Sequence, residues 1–242
     1  IIALVAAWGV SASFAIFTLL GLNLVLYMGL WDPMVSTLAL VIAASLLTLL
    51  FGIPIGILSA RHNLVWSFTR PILDLMQTMP AFVYLIPAVM FFGTGPVPST
   101  IATLIFSMPP VVRLTRLGIN QVPNDLIEAG RSFGCSERQL LLKVQLPSAL
   151  PTVMAGVNQT IMLSLSMVVI ASMIGGGGLG VVVLRGIQQL DVGLGFEGGL
   201  AVVILAVIMD RLSQSLAKTN SSKKTINQSI RAFLNVWTPS KS

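Results

Sequence analysis

The sequence predicts an all-α, polytopic integral membrane protein, and three observations carry that prediction. Of its 242 residues 55% are hydrophobic and only 9% charged, and the mean hydropathy is +0.91. A water-soluble domain carries about 25% charged residues, so this chain lacks the polar surface to stay in water. The apolar residues also come in long unbroken runs rather than short alternating ones, which selects membrane helices over a β-barrel. One cysteine, Cys135, and one histidine, His62, leave no internal disulfide and no Cys/His metal cluster to be made.

The chain opens Ile1-Ile2, and an N-terminal portion is expected upstream, with residues 1–7 as the tail of a span. Residues 11–30 have the length of about one span, roughly 20 residues, and Trp31-Asp32-Pro33 reads as an interfacial aromatic followed by a turn. Residues 34–60 form a longer apolar run in which Gly52, Pro54 and Gly56 allow close packing or a kink. Arg61-His62-Asn63 stops it. Residues 66–79 are of mixed polarity, with Arg70 and Asp74 four apart, the spacing of a salt-bridged helix at a membrane surface. Residues 80–93 are short and interrupted by Pro87. Gly93-Thr94-Gly95-Pro96 is a turn, and residues 98–112 return with Met108-Pro109-Pro110 near their end. Residues 149–174 span again, 175–180 are a glycine-rich break, and 196–212 make the last span before a basic tail. The expected division is an N-terminal membrane segment over 1–33, a membrane core over 34–216 and a basic tail over 217–242. Five spans are expected from Met34 onward, with a sixth before them and a truncated seventh at the start.

The longest polar interval is residues 124–147, NDLIEAGRSFGCSERQLLLKVQLP. Asn124 is a capping residue, with Asp125 and Glu128 in the opening turns of a first helix. Gly134 supplies the left-handed residue that ends it. Ser136 and Gln139 have capping-box spacing and start a second helix, expected to reach Leu146 and stop before Pro147.

Glu128-Ala129-Gly130, then Gly134, then Val144-x-Leu146-Pro147 resemble the EAA loop of ABC importer permeases. The departures are Gly130 for the motif's second Ala and Val144 for Ile. The resemblance widens at 74–84, DLMQTMPAFVY, at 118–123, GINQVP, at 154–160, MAGVNQT, and at 165–174, LSMVVIASMI. It continues through 184–187 to 208–212, where the chain is similar to permeases for glycine betaine and proline betaine. It covers roughly residues 34–214. What it implies is a type I ABC importer transmembrane fold of about six to seven helices, importing an osmoprotectant by alternating access in the bacterial cytoplasmic membrane. It further implies a second permease copy as homodimer partner, two cytoplasmic ATPase subunits holding ATP and magnesium, and an extracytoplasmic substrate-binding protein. The loop would then be the element that docks on the ATPase, with Glu128, Ala129, Arg131, Ser132, Gly134 and Arg138 as its coupling residues. Glu128 and Arg131, three apart, share a helical face and either pair or reach the ATPase surface.

Sidedness is legible in the charges. With the loop on the cytoplasmic side, thirteen of the fourteen basic residues fall inside, and only Arg185 falls outside, with Asp32, Asp191 and Glu197. The positive-inside rule predicts that asymmetry, so the net charge of +6 is a topology signal rather than a nucleic-acid footprint. A DNA-binding helix-turn-helix, suggested by Arg131, Arg138 and Lys143, has no room for a duplex between two membrane spans. Nucleic acid is not an expected partner.

Gly175-Gly176-Gly177-Gly178-Leu179-Gly180 contains a formal G-x-G-x-x-G, with Glu197 twenty residues after Gly177. No parallel-sheet unit surrounds it, and its role is backbone clearance and flexibility at the outer mouth. No G-x-x-x-x-G-K-[ST] occurs, so any ATP hydrolysis belongs to another chain; no cofactor and no catalytic residue are expected here. Asp210 stands alone near the cytoplasmic end, which argues against an ion-coupled carrier. A quaternary ammonium solute is favoured over aromatic faces. Phe82, Tyr84, Phe91, Phe92 and Phe106 are therefore path candidates, as are the polar Asn158, Gln159, Ser164 and Ser166 of the span after the loop. Interhelical packing and hydrogen bonding account for these residues equally well. The same machinery carrying choline, carnitine or an amino acid is the nearest alternative function, with an ion-coupled carrier behind it and a membrane enzyme a third class.

Overall fold

The computed structural model describes residues 12–237, with side chains over 13–215 apart from Val168. The expected tail of an earlier span at 1–7 and the side chains of the basic tail lie outside the described residues. Among the described residues all regular structure is helical. The helices are α1 Ala12–Tyr27, α2 Trp31–Arg61, α3 Asn63–Thr78, α4 Ala81–Phe92, α5 Pro96–Asn120, α6 Asn124–Ser132, α7 Glu137–Leu140, α8 Leu146–Ser172, α9 Leu179–Gln189 and α10 Val192–Trp237. A π turn, Leu141–Gln145, joins α7 to α8.

Four of the described helices are long and apolar enough to cross a membrane, and five spans result if the α3–α4 pair, bent by 103°, is one broken span. That agrees with five spans from Met34 onward. The expected span over 11–30 corresponds to α1, 16 residues of which lie within the described part of the chain. Trp31-Asp32-Pro33 is not a turn but the first turn of α2, where the missing proline N–H has no helical partner to lose. Likewise α5 does not end near Pro109-Pro110 but runs on to Asn120. A membrane helix tolerates proline where neighbouring helices enclose it; Pro109 and Pro110 are both buried, and next to them Thr160 Oγ1 donates to the Ser107 carbonyl at 3.2 Å.

Helices α2, α5 and α8 pack around a seam of small and hydroxyl side chains. Thr37, Ala44, Ser45, Thr48, Gly52, Gly56 and Ser59 make one buried stripe along α2 at helical spacing. Ser45 donates to Ser164 Oγ of α8 at 3.3 Å, and Thr48 and Ser107 of α5 lie 3.2 Å apart, oxygen to oxygen. A Cβ at Gly156 would stand 3.2 Å from Val111 Cα, so the bare backbone sets how closely α8 approaches α5. Each such hydrogen bond in a membrane stabilises by about 0.6 kcal/mol, and the close backbone packing adds dispersion. On the other flank a purely apolar cluster, including Val41, Leu165, Leu179, Ile204 and Leu205, holds α9 and α10 against α2 and α8.

The bundle has two polar ends. At one, Gly95 N–H donates to Ile174 O at 2.8 Å and Leu179 N–H to Thr37 Oγ1 at 2.7 Å, tying the glycine-rich break to the starts of α2 and α5. At the other lie the ends of α2 and α5, helix α3 and the polar loop. There Arg113 bonds Gln77 at 2.6 Å and pairs with Asp74, while Arg116 stacks 4.0 Å over Trp66 and donates to Ser59 O at 3.2 Å. These contacts pin α3 across the end of α5. Its Leu64, Phe68, Ile72 and Leu75, at spacings of four, four and three, remain exposed in one apolar stripe.

Candidate functional site

The polar loop folds as two short helices about a glycine turn. Pro123, not Asn124, occupies the cap position of α6 and no side chain caps it; Asn124 is the first helical residue. The fixed proline φ of −55° sets the chain direction there, and Leu126 N–H finds the Pro123 carbonyl at 3.1 Å. The far end closes as a Schellman motif. Cys135 N–H donates to Gly130 O at 3.1 Å and Gly134 N–H to Arg131 O at 2.9 Å, with Gly134 at φ +76°. Ser136 then begins α7 with a complete capping box: its N–H donates to Gln139 Oε1 at 2.9 Å, and Gln139 N–H donates to Ser136 Oγ at 3.4 Å.

The two helices press together where the sequence departs from the resembled motif. Leu140, 1% exposed, lies under Gly130, where a Cβ would come within 2.8 Å of its Cδ1. The second helix does not stop before Pro147. The π turn lets it pass the proline and become α8, giving 36 residues of helix from Glu137 to Ser172. A proline ring crowds the carbonyl four residues back, and a wider i→i+5 turn relieves that contact; Leu146 N–H accordingly donates to Leu141 O.

Of the predicted coupling residues, Glu128, Ala129, Arg131, Ser132, Gly134 and Arg138 are all exposed on this loop. Arg131 pairs with Glu137 at 3.2 Å rather than with Glu128, because the glycine turn folds residue 137 back beside α6. That leaves the Glu128 carboxylate with no ion pair among the described residues. Sequence reading did not single out Glu137, nor Arg61, whose Nη2 donates to the Glu137 carbonyl at 2.6 Å across 76 residues of chain. Arg61 carried a signal, a lone cation closing a long apolar run, but no spacing rule links it to position 137.

The path candidates scatter. Tyr84 and Phe106 share one apolar cluster with Leu85, Ala88, Ala102 and Met167, and the Tyr84 hydroxyl donates to the Met76 carbonyl. Phe82, Phe91 and Phe92 are exposed on the single chain. Ser164 is buried against Ser45, whereas Ser166 is exposed and bonds back to Met162 O at 3.0 Å. Asn158 joins α8 to α10, donating to Asp210 at 3.2 Å and accepting from Ser213, and Gln159 beside it is exposed. Asp210, which stood alone in the sequence, is thus held by Asn158 and by Gln214 at 2.8 Å. No strand flanks the glycine run among the described residues; Gly178 instead abuts Thr37, and helix α9 follows. Nor do three metal-ligating side chains meet among the described residues.

Apolar helices around a hydroxyl seam, with one rigid polar loop at an end, define a multi-pass membrane protein. Residues 52–221 match the family of binding-protein-dependent transport system inner membrane components, and the chain belongs to that family. Over 218 residues, 90% of the chain, it is 57% identical to the glycine betaine/proline betaine transport system permease protein ProW of Salmonella typhimurium. The chain spans 62% of that relative's length. It is 53% identical over 216 residues to the glycine betaine/carnitine transport permease protein GbuB of Listeria monocytogenes, covering 89% of the chain and 75% of that protein. The fold is that of the methionine ABC transporter MetNI in an inward-facing conformation, at a TM-score of 0.71 and 19% identity, covering 76% of this chain and 93% of that one.

Proposed function

We propose that the chain moves glycine betaine- or proline betaine-type osmoprotectants across the bacterial cytoplasmic membrane by alternating access, powered by ATP hydrolysed on separate subunits. The observation that carries this reading is 57% identity, over nine-tenths of the chain, to a permease named for those solutes. In this reading the polar loop faces the cytoplasm, the orientation that the positive-inside rule favours. A second copy completes the pathway, two ATPase subunits bind ATP and magnesium, and an extracytoplasmic protein delivers the solute. The working division is a membrane segment over 1–33, the transport core over 34–216 and a cytoplasmic tail over 217–242.

The loop is built for such a role. A nucleotide-driven displacement reaches the membrane only through a stiff contact, and here the Schellman turn, the capping box and the Arg131–Glu137 pair fix the two loop helices. Glu128, Arg131 and Arg138 present charge outward for an ATPase groove. The continuous helix made of α7, the π turn and α8 then runs from the loop to the glycine turn at the opposite end, 36 residues or about 54 Å at 1.5 Å per residue. A push on the loop is thereby delivered to the outer mouth. The aromatic residues at 82, 84, 91, 92 and 106 and the polar groups at 158, 159, 164 and 166 remain the proposed lining of the path, where ring faces suit a trimethylammonium group.

A second reading, the same machinery carrying carnitine, is favoured by the name of the Listeria relative. Reconstitution of the chain with its ATPase and binding protein tests both. The expected result is ATP-dependent uptake of labelled glycine betaine, outcompeting choline and carnitine. Uptake that persists without the ATPase subunit points to an ion-coupled carrier and overturns the proposal.

A further inference from the structure

We propose that Arg61 is a positioning residue that passes displacement of the loop into α2, acting through Glu137; the proposal rests on the loop being the ATPase contact. Glu137 is bonded to three elements at once. Its carboxylate accepts from Arg131 of α6 at 3.2 Å, its backbone belongs to α7, and its carbonyl accepts from Arg61 at the end of α2 at 2.6 Å. That carbonyl also accepts from the N–H of Leu141, the first residue of the π turn. Arg61 therefore grips the second loop helix at its last regular turn.

Helix α8 receives loop motion through the chain itself, but α2 has no covalent link to the loop. Apolar packing also joins them, with Ile57 and Ala60 beside Leu141 and Leu146 around Ile119, Ala149 and Val153. Apolar contact is non-directional and lets surfaces slide. A charged donor on a carbonyl is directional and fixes both distance and angle. The neighbouring carbonyl of Ser59 is held by Arg116 of α5, so the end of α2 is clamped between α5 and the loop. Since α2 also carries the hydroxyl stripe of the seam, rotation of its end reorients Ser45 and Thr48 in the membrane interior.

The test uses the reconstituted transporter with its ATPase and binding protein, and reads three quantities: ATPase association, ATP hydrolysis and solute imported per ATP. Arg61→Ala is expected to keep association and hydrolysis while import per ATP falls about tenfold, a change of coupling rather than of ground-state binding. Arg61→Lys, which keeps a cationic donor on a long stem, is expected to restore most of the coupling. If Arg61→Ala does not accumulate in the membrane, Arg61→Gln, a shorter neutral donor, is read instead and is expected to be intermediate. Wild-type import per ATP in the alanine or glutamine variant overturns the proposal, and so does failure of lysine to restore any of it. Gly134→Asp is run alongside. Association lost in that variant with coupling intact at position 61 overturns the Arg61 role alone. Association kept in Gly134→Asp removes the loop reading, and the role of Arg61 with it.

Discussion

A side chain at position 134 has room, since a Cβ there meets nothing within 4 Å, yet the backbone sits at φ +76°. The cost of substitution is conformational, about 1 kcal/mol for alanine, and smaller for asparagine, which tolerates the left-handed region. Gly134→Asp adds a charge on the exposed contact, so it is expected to reach normal membrane levels, to bind the ATPase weakly and to lose uptake. Gly134→Asn, of the same shape but neutral, is expected to keep most of both, and co-purification with the ATPase separates the two. At the other end Gly176 and Gly177 differ in kind. Clearance is required at 176, where a Cβ would stand 2.7 Å from Ser99 Oγ and 2.8 Å from Ala171 O, whereas 177 is open but at φ +75°. Valine at either is expected to impair uptake without touching ATPase association. Asparagine is expected to be tolerated at 177 and not at 176, and parallel uptake assays decide it.

Helix α3 has three faces rather than two. Leu73 and Trp66 turn inward, Arg70, Asp74 and Gln77 lie along a polar edge, and Leu64, Phe68, Ile72 and Leu75 form the exposed apolar stripe. A helix so divided, bent by 103° from the one that follows, suits the boundary between headgroups and acyl chains. Phe68→Asp is expected to lift it from the membrane and expose Arg70 to trypsin in vesicles, while Ser67→Asp on the wetted side leaves cleavage at the wild-type rate. The contacts that hold α3 inward act together: Trp66 under Arg116 contributes about 0.5–1 kcal/mol as a partly exposed cation–π pair. The half-exposed Asp74–Arg113 pair adds no more than about 1 kcal/mol.

Across the whole molecule, the seam joins three helices that are far apart in the chain. Thr160→Val keeps the volume but removes the donor to Ser107 O, and Ser164→Ala removes the partner of Ser45. Each is expected to lower unfolding stability in detergent by about 0.6 kcal/mol. The double variant is expected to be additive only if the two bonds are independent. Denaturation of the purified subunit measures both. A loss of several kcal/mol from either single change would mean that the seam also orders the bundle cooperatively.

Composition and the long unbroken apolar runs sufficed for the class of the protein, because hydrocarbon admits only helices and closed barrels and such runs are helical. The loop was legible almost residue by residue. Gly134, Ser136 and Gln139 act on neighbours within six positions, and local chemistry governs turns and caps. Prolines misled where they were read by local rules alone: α5 continues through Pro109 and Pro110, and a π turn carries α7 past Pro147. Only the tertiary structure decided the partners. Arg131 takes Glu137 rather than its helical neighbour, Arg61 reaches a carbonyl 76 residues away, and Asn158 finds Asp210 on another helix. Hydropathy fixes that a segment is buried but not its rotation about its own axis, and it is that rotation, set by small residues and hydroxyls meeting across helices, that selects which polar groups bond.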